Sequence, residues 1–551
     1  MFKFKTLKNN GAIARILFWL VLFLPTILAL WRSHGNGRTW QTLLWAAAAC
    51  LFPAILPPVL FIAVQWLCLL LLPVLLWWIA YAALNGIGPG WEAAVAAIST
   101  SPQEASGAAL LAINTPNFLL FAVACSLLLI ASIVLMFRAR KSHVLNDASQ
   151  ECRKVLFVLA LAPFFISFMT NATGVHLPVL FIASDPSFST LGTTTRLLWE
   201  GVDQIMYGDI MTVAPERRKA VAPRMAKDVR LAIFVIGESM RAGGIGPAQK
   251  QRGPWTKALN ERVENHLGVW LPTTCAGANG TAGSVPMLLT GLAPRQYAES
   301  GTAPSVLAVL KAAGYKTAWI SNQDKSVFTE HGHDYYWTIT HSASVSDSYD
   351  EQLVPIAKTF AAPILNHGTQ SRIPYAMALH MHGSHFDYQD RYPVSQFAAE
   401  PTGLSYEDLV DLRYERTEEY TAKVINDLAA LLDASEAPSF LIYSSDHGEN
   451  LPSDHNGVTT HLGPRATLRD GTTTSFVLWN SAMQKTGKPT EILSQLMKEP
   501  MIAHADVAKI FLALAGVGDE AIVTNLPPEI LAPVELGGSY NKPNACSLLK
   551  P

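Results

Sequence analysis

Five long apolar runs, residues 13–31, 43–62, 63–84, 118–137 and 155–170, constrain the first third of this chain more than any other feature. Each is close to the ~20 residues an α-helix needs to cross a bilayer, and only structures that pair every backbone N–H and C=O internally can do so. The second and third runs are nearly continuous, with Pro53, Pro57 and Pro58 where a break belongs. Five crossings are expected, with four or six as alternatives. A cleaved leader does not account for the first run, because no small-residue cleavage site follows Leu30-Trp31 and further spans come after it.

Loop charge orients these spans. Lys3, Lys5, Lys8 and Arg15 open the first, and Arg138, Arg140, Lys141, Arg153 and Lys154 lie between the fourth and fifth, which places both regions in the cytoplasm. The loop 85–117 carries no Lys or Arg and is expected outside, while Arg32 and Arg38 are a mild contrary signal. Five spans then put the C-terminal half outside the cytoplasmic membrane, in the periplasm of a two-membrane cell. The overall 50% hydrophobic and 15% charged content is thus an average of two unlike parts. The expected layout is a transmembrane domain over 1–172, a linker over 173–227 and a soluble domain over 228–551. The linker, with its Glu216-Arg217-Arg218-Lys219 run, reads either as a solvated connector or as helices along the membrane surface. A net charge of -2 excludes a polybasic nucleic-acid binder. Of six cysteines only Cys275 and Cys546 fall outside the membrane and cytoplasm, so one disulfide between them is the pairing open to the soluble half.

In that half, β-type runs at 231–236, 317–320, 375–379, 440–443 and 475–479 alternate with helical stretches such as 303–313 and 406–432. Strands alternating with helices imply an α/β domain with a mainly parallel sheet covered on both faces. Ligands in such folds bind beyond the carboxyl ends of the strands. Just past those ends stand Gly237-Glu238-Ser239, Ser321-Asn322-Gln323-Asp324-Lys325, His380-Met381-His382-Gly383-Ser384-His385 and Asp446-His447. Carboxylate and imidazole side by side suit zinc or a similar transition metal, and Glu238 from another strand would add a ligand. An Asp-His dipeptide alone is weak, since turns use both residues; its place after a buried strand is what gives it weight.

Four stretches, in this order, carry a resemblance. They are Val235-Ile236-Gly237-Glu238-Ser239 with Arg241; Asn279-Gly280-Thr281-Ala282-Gly283-Ser284-Val285-Pro286; Gly383-Ser384-His385 with Tyr388 and Arg391-Tyr392-Pro393; and Ser445-Asp446-His447-Gly448-Glu449. The chain resembles the membrane-anchored phosphoethanolamine transferases, the group of the lipid A modifying and colistin-resistance enzymes, within the alkaline phosphatase and sulfatase superfamily. The resemblance implies Glu238, Asp446, His447 and Thr281 as ligands of a catalytic Zn²⁺, with Thr281 also the nucleophile. It implies His385 and His461 as holding the donor phosphate or a second zinc, Lys325 and Asn322 as phosphate contacts, and Thr100 and Glu104 as contacts to the donor head group. Glu449 is expected to support the site from behind.

A threonine hydroxyl is too weakly acidic to attack phosphorus unaided, so the proposed metal has a clear task. Each residue has competitors. Thr281 could be a helix cap, with Thr273, Thr274 or Ser284 as nucleophile; His455 competes with His461; His331 and His333 read as a surface turn, and His382 as structural. Met287 stands where the colistin-resistance group has a cysteine, and Ser239 replaces a common threonine, which leaves the acceptor open. The expected function is transfer of phosphoethanolamine from phosphatidylethanolamine to an envelope glycan or lipid, such as lipid A, lipopolysaccharide core or periplasmic glucan, through a phospho-threonine. Phosphoglycerol transfer or ester hydrolysis on the same scaffold, and a non-catalytic envelope scaffold, are the alternatives.

Overall fold

The structure is a computed structural model that describes residues 10–32, 56–85, 109, 112–114, 118–141, 228–246, 253–294, 303–323, 333–338, 349–367, 373–455, 459–461 and 467–517. The chain divides into two compact units, one ending at Met206 and the other holding the soluble half. The linker 173–227, the fifth apolar run and Cys546 lie outside the described residues.

Among the described residues of the N-terminal unit, the long helices are Asn10–Arg32, Pro58–Leu70, Leu72–Asn85 and Phe118–Lys141. Among the described residues, one helix, Phe118–Arg138, is long and apolar enough to cross a membrane; Pro58–Leu70 and Leu72–Tyr81 make a second only as one broken span, bent by 63°. The expected count of five is therefore not established. The third run is also not one straight helix. Its break falls at Leu71, two residues before Pro73, because proline has no N–H to donate to the carbonyl four residues back and its ring clashes with that carbonyl. Pro58, expected at a break, opens a helix after the non-helical Leu56-Pro57, in the first turn where its missing N–H costs nothing. Polar groups stitch these helices. Gln65 Nε2 donates to Ser132 Oγ at 2.6 Å and Ser132 Oγ donates to the Ala14 carbonyl at 2.6 Å. Each would otherwise be unpaired among apolar side chains.

The soluble unit is built on strands β1 (Leu231–Gly237), β2 (Gly268–Trp270), β3 (Thr273–Cys275), β4 (Lys316–Ser321), β5 (Tyr335–Thr338), β6 (Tyr375–His380), β7 (Ser439–Ser445), β8 (Thr472–Thr473), β9 (Ser475–Trp479) and β10 (Met501–Ala503). Seven form one sheet in the order β2-β9-β7-β1-β6-β4-β5, and β10-β3-β8 form a second. Strands β7, β1, β6, β4 and β5 run parallel, while β9 pairs antiparallel with β7 and with β2.

Strand β1, LAIFVIG, is buried along its whole length and shows no polar alternation. A central parallel strand needs this, because helices cover both of its faces. Ala232, Phe234 and Ile236 pack with Val285, Leu288 and Phe511 on one face. Leu231, Ile233 and Val235 pack with Leu259, Ile364, Ile425 and Leu428 on the other. The first face thus receives the helices Thr281–Thr290 and His504–Leu514, and the second receives Pro254–Glu264, Leu353–His367 and Tyr406–Asp433. That last helix also carries Glu419, whose carboxylate accepts from the Trp255 and Thr256 amides at 2.7 and 3.3 Å and so caps the start of Pro254–Glu264. Cys275, at the end of β3, is disulfide-bonded.

Candidate active site

The neighbouring order β7-β1-β6-β4 brings four carboxyl ends to one rim, and each delivers polar side chains there. Strand β1 releases Glu238, β7 releases Asp446 and His447, β6 leads to His382–His385, and β4 leads to Asn322 and Gln323. Across from them the loop after β3 ends at Gly280, and Thr281 is the first residue of the helix Thr281–Thr290.

Thr281 Oγ1 lies 3.1 Å from both Glu238 carboxylate oxygens and 3.4 Å from His447 Nε2. Glu238 Oε1 is also 3.1 Å from His447 Nε2. His447 Nδ1 is 2.7 Å from the Gly448 carbonyl, so it donates there and turns Nε2 toward the two carboxylates. Asp446 Oδ1 accepts from the amides of Ser239 at 3.1 Å and His447 at 2.7 Å. Asp446 Oδ2, 3.4 Å from His447 Nε2, is buried and has no hydrogen-bond partner. A buried carboxylate oxygen without a donor is costly, and a cation is the ordinary remedy. The residues therefore fit a metal: two buried carboxylates and an imidazole nitrogen, with a hydroxyl beside them. Glu238, His447 and His461 can also converge, their ligand atoms lying within 4.8 Å of one another.

Electrostatics agree with this crowding. Burial alone would raise the Glu238 carboxyl, but the hydrogen bond and charge of His447, with the charges of His385 and His461, hold it well below the usual range. Burial and the neighbouring Glu238 charge push Asp446 up. Burial disfavours a charged His447, yet Asp446 and Glu238 outweigh it and push its pKa up to about 10 in the metal-free site.

His461 is buried, and its Nδ1 lies 3.2 Å from Glu449 Oε2; its ring centroid is 4.2 Å from that of His447 and 5.4 Å from that of His385. Glu449, fully buried and pushed up to about 8 by burial, orients His461. The competitor His455 has a side chain 72% exposed and faces Glu407 at 3.8 Å, away from the cluster. Among the other hydroxyls, Thr273 and Thr274 lie in β3, and Ser284 Oγ is turned to the Asp446 carbonyl. His382 is engaged with Arg391 at 2.9 Å, and His333 stacks on Tyr336.

One expected contact is placed differently. Asn322 points away from the cluster, donating to Asp350 Oδ1 at 2.7 Å; Asp350 in turn accepts from the His382 and Gly383 amides, which fixes the loop leading to His385. The side chain that reaches Glu238 is its neighbour Gln323, whose Nε2 donates to Glu238 Oε2 at 3.0 Å and to the Met381 carbonyl at 2.9 Å. Lys325, Thr100 and Glu104 lie outside the described residues. Two further residues have structural roles in the site: Gly383, whose motif is visible in the sequence, and Tyr414, which has no signal there. Gly383, at φ +51°, leaves a Cβ position only 2.7 Å from the Glu238 backbone, so this loop packs where no side chain fits. Tyr414 donates to the Ser239 carbonyl at 2.7 Å and holds the left-handed turn after Glu238.

The sequence profile of the sulfatase family matches residues 230–517. Phosphoethanolamine transferase EptC of Escherichia coli is 26% identical over 218 residues, 37% of each chain, and phosphoethanolamine transferase EptA of Salmonella typhimurium is 26% identical over 271 residues, 45% of this chain and 46% of that one. The matches thus span less than half the length of these relatives. Among solved structures, the integral membrane protein lipooligosaccharide phosphoethanolamine transferase A from Neisseria meningitidis superposes with a TM-score of 0.65 at 18% identity, covering 92% of this chain and 95% of that one. That likeness shows a shared fold across both units. With its soluble half matched from β1 to the end of the described residues, the chain belongs to the sulfatase family.

Proposed function

We propose that the protein transfers phosphoethanolamine from phosphatidylethanolamine to a hydroxyl of an envelope glycan or lipid, using Thr281 as nucleophile at a zinc site. The observation that carries this reading is Thr281 Oγ1 held 3.1 Å from both Glu238 oxygens and 3.4 Å from His447 Nε2. Glu238, Asp446, His447 and Thr281 would hold the ion, with His461 and His385 beside it for phosphate or a second one. Bound zinc supplies a Lewis acid that lowers the pKa of a hydroxyl and neutralises phosphoryl charge. Thr281 Oγ1 gives its proton toward Glu238 and bonds to phosphorus, while the bond from phosphorus to the diacylglycerol oxygen breaks. His385 and His461 are the donors placed to stabilise charge on the phosphoryl oxygens and to return a proton to the leaving oxygen. The phosphate also meets the first turn of the helix Thr281–Thr290, whose free amides favour an anion. In the second step the acceptor hydroxyl gives its proton to His385 or His461 as its oxygen bonds to phosphorus, while the bond to Thr281 breaks and Thr281 Oγ1 takes back the proton from Glu238.

A location in the inner membrane with the soluble domain in the periplasm suits this donor, since attachment beside the lipid head groups raises their effective concentration. Purified full-length protein with zinc and fluorescent phosphatidylethanolamine should yield labelled diacylglycerol and a phosphoethanolamine mass increment on Thr281. Phosphatidylglycerol should turn over far more slowly. Absence of both products with zinc present refutes the reading.

Zinc binding should release protons. In the metal-free protein His447 is protonated below about pH 10, and a ligand nitrogen must lose that proton. Affinity is therefore expected to fall as pH falls, by about tenfold per unit, or roughly 100-fold from pH 8 to pH 6. Calorimetry in buffers of different ionisation heat measures the protons directly. An affinity constant over that range would remove His447 from the ligand set.

A further inference from the structure

The transfer reading uses no residue after His461, yet the helix His504–Leu514 opens with a histidine that is 1% exposed and touches three parts of the site's frame. His504 Nδ1 is 3.2 Å from the Gly277 amide and 3.1 Å from Ser284 Oγ, and its Nε2 is 3.0 Å from the Ser445 carbonyl. An amide can only donate and a carbonyl can only accept, so the imidazole is neutral with its proton on Nε2. Burial, which lowers its pKa to about 3, keeps it in that form. Ser284 Oγ donates onward to the Asp446 carbonyl.

One ring therefore ties the loop that precedes Thr281 to the strand end that releases Asp446 and His447, and it lies against Ser284, which itself holds the helix that carries Thr281 to the Asp446 carbonyl. The anchor itself is fixed, because β10 ends at Ala503 and pairs in register with β3, Ala503 against Cys275. The Ala503 amide also donates to Asp506 Oδ2 at 2.8 Å, which closes the first turn of the helix. No other described side chain bridges Gly277 to Ser445 in this way.

We propose that His504 is a positioning residue for the transfer reaction, setting the separation between the Thr281 hydroxyl and the Asp446–His447 pair. This rests on the reading of Thr281 as nucleophile. Displacing a reacting atom by about 1 Å can cost about 10²-fold in rate, and removing a partner that orients ligands typically costs 10- to 100-fold.

The test compares the full-length zinc-loaded protein with His504→Phe, which keeps the ring volume but neither nitrogen, and with His504→Asn, which can keep an acceptor for the Gly277 amide. Phosphorylation of Thr281 by phosphatidylethanolamine is expected to slow roughly 10- to 100-fold in His504→Phe, with KM within about twofold and zinc content unchanged. His504→Asn should recover a clear part of the rate. A His504→Phe rate within about threefold of wild type, or a loss confined to KM, overturns the proposal, as does an asparagine variant no faster than phenylalanine. Hydrogen exchange on the wild-type protein gives an arm independent of variant folding: the Gly277 amide should be strongly protected, and rapid exchange there also overturns it. A wild-type protein that never phosphorylates Thr281 while Gly277 is protected refutes the functional reading instead.

Discussion

Thr281→Ala is expected to lower phosphoethanolamine transfer by at least about 10³-fold while zinc content stays near that of the wild type. The asymmetry comes from geometry. Thr281 Oγ1 lies against Glu238 and His447 but does not position them, since Glu238 is held by Gln323 and Ser239, and His447 by the Gly448 carbonyl. Removing the hydroxyl removes the attacking atom and leaves two carboxylates and an imidazole in place. Thr281→Ser should keep the attacking oxygen and retain measurable transfer, because the missing methyl group takes no part in bond formation. The measurement is lipid turnover together with mass spectrometry of the peptide containing residue 281. A Thr281→Ala protein that fully complements a deletion strain would instead support a non-catalytic envelope scaffold.

Glu418→Gln is expected to stabilise the soluble domain at pH 8.5 by up to about 4 kcal/mol and to change little at pH 5. Glu418 lies on the helix Tyr406–Asp433, fully buried, and its Oε1 has no hydrogen-bond partner. Burial raises its pKa to about 8, against the opposing charge of Arg241 and with a further push from Glu415. The folded pKa therefore exceeds the unfolded value of about 4.5. Between those values the native state binds the extra proton, so stability falls as pH rises, by about 1.4 kcal/mol per unit. Glutamine has no proton to lose and should flatten that limb. Thermal unfolding of both proteins at pH 5 and 8.5 checks this, and an equal difference at the two pH values defeats it.

The parts of the fold legible in the sequence are those whose burial leaves a long signature. Strands β1, β6 and β7 read as continuous apolar runs because helices cover both faces, and the residues just beyond them can be named from the sequence alone. Strands β2, β3, β8 and β10, two or three residues each, are too short to show a period. Around β4 the sequence points one residue off, to Asn322 rather than Gln323, because which side chain turns toward Glu238 depends on where the last strand residue, Ser321, leaves the sheet. The resemblance favours His461 over His455, and burial separates them in the structure. His504 gives no local motif; a buried strand end followed by a helix-opening histidine is its only trace. In the N-terminal unit composition predicts apolar helices, but the break at Leu71 is set by Pro73 rather than by the proline cluster upstream.

The pairing of β3 with β10 has a bearing on biogenesis. Gly277 and His504 are 227 residues apart in the chain, so the segment that fastens the loop before Thr281 leaves the ribosome after Glu238, Asp446 and His447. Contacts this distant in sequence form late. If the proposed function holds, a chain still being made can present Glu238, Asp446 and His447 to a metal before Thr281 is anchored, and termination before residue 504 is expected to leave the loop before Thr281 unfastened.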